Sequence, residues 1–95
     1  MDIKINAVKF KADEKLNNFI QDKVSKLEHH AAGILLAEVT LHVDKPETDN
    51  NKITDIRLIV RGNDLYASKQ ANSFEEATML AIDALKKQVS KFKEK

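Results

Sequence analysis

The chain has 95 residues, of which 16 are basic and 15 acidic, a formal net charge of +1 and a hydrophobic share of 42%; that is enough for one domain with one core under a wet, heavily charged surface. The absence of cysteine excludes a disulfide framework and a thiolate zinc site. No apolar run approaches the roughly 18 residues of a membrane span, and the first ten residues alternate charged with apolar groups, unlike the centre of a secretory leader, so a cytoplasmic protein without membrane contact is expected.

Residues 2–8 alternate, with Ile3, Ile5 and Ala7 on one side and Asp2, Lys4 and Asn6 on the other, which predicts a half-buried first strand. Asp13 then stands as an N-cap before Leu16, Phe19, Ile20, Val24 and Leu27, spaced by threes and fours. This predicts a helix over about residues 13–29, with Gly33 in the turn after it. From Ile34 the period falls to two, and Leu35, Ala37, Val39, Leu41 and Val43 are expected to face inward along a second strand. Residues 45–51, KPETDNN, hold the only proline among turn-forming residues and read as a mobile loop. Ile56, Leu58 and Val60 define a third strand; Gly62, Asn63 and Asp64 read as a tight turn, and a fourth strand covers residues 65–71. Ser73 and Glu76 have the spacing of a capping box, and Phe74, Ala77, Thr78, Ala81, Leu85, Val89 and Phe92 mark one face of a second helix to the end of the chain. The order is β-α-β-β-β-α, an α+β chain with both helices on one face of an antiparallel four-stranded sheet, because sheet and helices each have a single apolar side to bury.

Materials for catalysis are scarce. His29 and His30 are adjacent and cannot point the same way on a helix, His42 has no partner at a metal-ligand spacing, and the glycines, Gly33 and Gly62, begin no phosphate loop. No enzyme, metal, cofactor or small-molecule substrate is expected. The lysines are better organised. Residues 84–95 carry five lysines and one glutamate, whereas residues 34–83 carry nine acidic and five basic groups. On a helical wheel Lys87, Lys91 and Lys95 make one stripe, Lys86 and Lys93 sit on the opposite flank, and Lys15, Lys23 and Lys26 gather beside Phe19 on the first helix. Two lysine-edged helices side by side would present a positive groove suited to phosphates. Lysine is also common on exposed helical faces and favoured near helix C-termini, so a protein-interaction module, using a free sheet edge or Met79 and Leu80, stays open. A general double-stranded RNA-binding domain stays open as well.

Two stretches carry a resemblance. Ile3, Ile5, Asp13, Glu14, Leu16, Phe19 and Ile20 lead into Lys23-Val24-Ser25-Lys26-Leu27-Glu28; Ala67 and Ser68 lead into Ala81-Ile82-Asp83, Leu85, Gln88 and the alternating Lys91, Lys93 and Lys95. Over essentially its whole length the chain resembles the ribosome hibernation promoting factors, also called ribosome-associated translation inhibitors, in their short single-domain form. The resemblance implies a fold similar to double-stranded RNA-binding domains and a place in the mRNA and tRNA channel of the small ribosomal subunit, where the protein excludes both ligands. It carries over Lys23, Lys26, Lys86, Lys87, Lys91 and Lys93 as rRNA contacts, while Lys15 and Lys95 are weaker additions from the groove argument alone. It also leaves room for a separate partner that pairs ribosomes. The chain departs from the family pattern at Ala7, where glycine is common, at His29-His30, and at Glu75, a place often held by tyrosine.

Overall fold

The computed structural model describes residues 1–31 and 33–93, the side chains of Phe92 and Lys93 excepted. Strand β1 (Asp2–Ala7) is followed by helix α1 (Glu14–Ser25), which tightens into one turn of 3-10 helix over Lys26–His29; strands β2 (Ile34–Val43), β3 (Lys52–Val60) and β4 (Asn63–Ala71) then lead into helix α2 (Phe74–Lys93). The α+β order β-α-β-β-β-α expected from the sequence is the one observed. The sheet, however, is mixed. Its strands lie in the order β1-β2-β3-β4, with β1 parallel to β2 and the other pairs antiparallel. A parallel neighbour requires a crossover, and α1 supplies it; alternation alone could not distinguish this arrangement from an all-antiparallel sheet.

Local chemistry explains the boundaries. Asp13 Oδ1 accepts the Leu16 N–H at 2.8 Å and Ser73 Oγ accepts the Glu76 N–H at 3.1 Å, so each helix starts where a side chain satisfies a free backbone donor. The β3–β4 turn falls on Arg61 and Gly62, earlier than the sequence reading had it, because Val60 pairs with Asn63 and Gly62 takes φ +84°, a conformation only glycine adopts cheaply. In β2 the register slips between Ile34 and Leu36. That irregularity buries Ile34 and turns Leu35 outward, leaving it 59% exposed, against the expected inward direction, whereas Val43 keeps the register of Val39 and Leu41 and is exposed only because it ends the strand. The loop of residues 45–51 carries hydrogen bonds to itself and its surroundings: Asn51 Nδ2 donates to Lys45 O at 2.9 Å, Gln70 Nε2 to Asn50 O at 2.7 Å, and Asp44 N to Asn51 O at 2.8 Å.

One core lies between the helices and one face of the sheet. It joins Ile20, Val24 and Leu27 to Ala37, Val39, Leu41, Ile56, Leu58 and Leu65, and to Ala81, Ile82, Leu85 and Val89 of α2, while Leu16 is only half-buried at its margin. Each fully buried aliphatic side chain stabilises the fold by roughly 1.5–3 kcal/mol. Within this apolar layer two hydroxyls meet, Thr54 and Thr78, both 0% exposed, with their Oγ1 atoms 3.2 Å apart. Among the described residues no helix covers the other face of the sheet.

Candidate nucleic-acid interface

The topology decides where the lysines go. Since β1 and β4 run in the same direction and each is followed by a helix that returns along the sheet, α1 and α2 are parallel to each other. Their N-termini meet at one end, where Phe10 stacks on Phe74 with ring centroids 5.1 Å apart. Their C-termini share the opposite end. Lys23 and Lys26 of the first helical segment and Lys86, Lys87 and Lys91 of α2 therefore collect at one end of the helical layer, while Glu14, Glu75 and Glu76 sit in the first turns at the other. This distribution also matches the partial charges at helix termini, positive at the start and negative at the finish.

Three contacts orient the helices about their axes. Gln88 Nε2 donates to Tyr66 O at 2.8 Å, so that flank of α2 faces β4. The Met1 ammonium meets Glu28 at 3.1 Å, so that flank faces β1. Lys15 and Glu75 line one cleft of about 430 Å³ with Phe10 and Leu16, so these two flanks face each other across the seam between the helices. At about 100° per residue, Lys86 then falls on the α1 side of α2, whereas Lys87 and Lys91 point away from the sheet and toward the β4 side. Burial agrees: Lys86 is half-buried, and Lys87 and Lys91 are exposed. On the other helix Lys23 lies with its Nζ 5.7 Å from the Phe19 ring centroid, half-buried, while Lys26 is exposed. The expected gathering of Lys23 beside Phe19 is found.

The lysines thus form two sets at the same end, Lys23 and Lys86 half-buried along the seam, and Lys26, Lys87 and Lys91 exposed. Lys15 does not join them. It lies eight residues before Lys23, about 12 Å along the helix at 1.5 Å per residue. The Lys93 side chain and Lys95 lie outside the described residues. Asp22 is the local acid, with Oδ2 3.9 Å from Lys23 Nζ and 3.6 Å from Lys26 Nζ. Exposed pairs of this kind contribute about 0–1 kcal/mol, little enough for a phosphate to displace the carboxylate. Met79 is half-buried and Leu80 exposed on α2, beside this basic surface.

Sequence reasoning missed a polar cluster on the helix-free face of the sheet. Asp55 Oδ2 lies 3.2 Å from His42 Nε2, Asp55 Oδ1 accepts a hydrogen bond from Ser68 Oγ, and the Arg57 guanidinium sits 5.8 Å from the centroid of the Tyr66 ring. The strand registers pair Thr40 with Asp55, Asp55 with Ser68, and Arg57 with Tyr66; aligning the alternating runs across the hairpins would have brought these residues together.

The sequence profile of the Sigma 54 modulation protein / S30EA ribosomal protein family matches residues 3–95. The chain belongs to this family. Membership makes it one of a family of ribosome-associated translation modulators, not of enzymes, as the sequence resemblance had implied. Among curated proteins, none matches it. Among solved structures, it is similar to a ribosomal subunit interface protein from Coxiella burnetii, with a TM-score of 0.88 and 20% identity over 100% of both chains. It is also similar to the N-terminal domain of Protein Y from Thermus thermophilus, with a TM-score of 0.81 and 20% identity over 97% of this chain and 99% of that one. At such identity the likeness establishes the fold. Among the described residues no helix is long and apolar enough to cross a membrane.

Proposed function

We propose that this protein is a cytoplasmic hibernation factor that binds the rRNA of the small ribosomal subunit in the mRNA and tRNA channel and inhibits translation by occupying that channel. Family membership and the ribosome-interface relatives support the partner. The observation that carries the reading on this chain is the basic end of the parallel helices, where Lys26, Lys87 and Lys91 are exposed and Lys23 and Lys86 are half-buried along the seam. A lysine ammonium is a mobile point charge, so an array of them grips phosphate oxygens without reading bases or performing a chemical step. Lys93 belongs to the proposed contacts through the resemblance. The domain needs no cofactor for this task and acts when growth slows or stress arrests synthesis.

The decisive experiment is sedimentation of the purified protein with separated ribosomal subunits. It should pellet with the small subunit and not the large, and an excess of a free 20-base-pair RNA duplex should leave the bound fraction nearly unchanged. Equal binding to both subunits, or release by the duplex, would make the chain a general double-stranded RNA binder and reject the proposal.

A further inference from the structure

The molecule has two unlike sides. Its helical layer ends in lysines, but the helix-free face of the sheet presents four carboxylates, Asp2, Glu38, Asp55 and Asp64, against two cations, Lys4 and Arg57. Phosphate is repelled by such a surface. We propose that this sheet face is a second docking surface, one that takes a cationic polypeptide segment rich in arginine, and so goes beyond the RNA contacts assigned to the helices.

Three features of the face fit that occupant. Glu38 lies in the register row between Lys4 and Arg57, yet among the described residues it makes no ion pair, and Arg57 lies over Tyr66 instead. Its carboxylate is open to an incoming guanidinium, which it can accept in the paired, two-bond geometry that arginine favours. Tyr66 is 49% exposed and already carries one guanidinium near its ring, which demonstrates the contact a partner arginine would repeat. Ile59 and Leu36, half-buried neighbours in the same register row as Asp2 and Asp64 and one row from Glu38, offer apolar surface against which the stem of an arginine side chain can lie while its head reaches a carboxylate. Asp55 is held by donors from Ser68 and His42; it contributes negative potential to the face and is the least available of the four acids for a direct bond. Four strands spaced about 4.8 Å apart are crossed by an extended segment of roughly five residues.

Tyr66 makes the proposal directly testable, because the chain has one tyrosine and no tryptophan, so its intrinsic emission reports on this face alone. A ten-residue peptide of alternating arginine and glycine, titrated into the full chain at low salt, should change the Tyr66 emission saturably. A matched peptide of alternating glutamate and glycine should not. The double change Glu38→Gln and Asp64→Asn should weaken the arginine peptide several-fold, whereas Lys26→Ala with Lys87→Ala and Lys91→Ala should leave its affinity undiminished. Circular dichroism confirms that each variant is folded, and Asp64→Asn alone, at the exposed start of β4, serves if the double variant is not; it should weaken the peptide about twofold. No saturable change, an affinity insensitive to the carboxylates, or an equal response of Tyr66 to a ten-nucleotide single-stranded RNA would each overturn the proposal. No ribosome enters this titration, so its failure is separate from failure of the proposed function.

Discussion

At the scale of single residues the core contains one polar pair that the fold has to satisfy. Thr54 on β3 and Thr78 on α2 are fully buried, and each hydroxyl's partner is the other, 3.2 Å away. A hydroxyl left alone there would lose its water without gaining a bond, at a cost of about 1–3 kcal/mol, whereas two valines of similar shape would leave nothing unpaired. Thr54→Val alone and Thr78→Val alone should therefore each lower the free energy of unfolding in urea by about 1–2 kcal/mol. The double variant should be more stable than the sum of the two losses implies. Simple additivity in the double-mutant cycle would show that the hydroxyls do not depend on each other. This pair also fixes the rotation of α2 over the sheet, since its first turns can present Thr78 to Thr54 in only one orientation.

At the scale of elements, the helix starts are set by single side chains. Asp13→Ala and Ser73→Ala should each destabilise the chain by roughly 0.5–2 kcal/mol, read as a lower urea midpoint with an unchanged slope. The same changes to asparagine, which also caps, should cost much less. These starts were legible in the sequence because a cap is a local signal, and so were the apolar faces of Ile20, Val24 and Leu27 and of Ala81, Leu85 and Val89. What escaped was non-local. The parallel pairing of β1 with β2 depends on a crossover that alternation does not encode, and the outward turn of Leu35 depends on a register slip against β3. The lysine faces of the helices were legible from spacing, but that Lys86 lies on the α1 side of α2 and Lys87 and Lys91 away from it required knowing that the helices are parallel and which flank of α2 touches β4. For the same reason the acidic face of the sheet was invisible: Asp2, Glu38, Asp55 and Asp64 come from four strands and meet only through the pairing.

At the scale of the whole molecule, near-neutral net charge conceals a separation of sign, with lysines at one end of the helical layer and carboxylates on the opposite face of the sheet. Such a body is drawn to a phosphate surface in one orientation, because a reversed approach brings like charges together. The exposed lysines Lys26, Lys87 and Lys91 have the reach to do this, while Lys23 and Lys86, half-buried along the seam, have less freedom and Lys15 stands at the other end. Replacing Lys26, Lys87 and Lys91 together by alanine should leave the thermal unfolding midpoint within a few degrees of the parent, since all three are exposed and alanine is the better helix former. Binding to small subunits should respond strongly. Each lost phosphate contact removes about 0.7–0.9 from the slope of log affinity against log salt, so the triple variant should have a slope shallower by roughly two and should lose most affinity at low salt. Lys15→Ala should lie close to the parent in the same titration. If instead the triple variant keeps the parent's slope while Lys15→Ala flattens it, the RNA approaches the end where Phe10 meets Phe74, and the lysines at the C-terminal end only complement the helix dipoles.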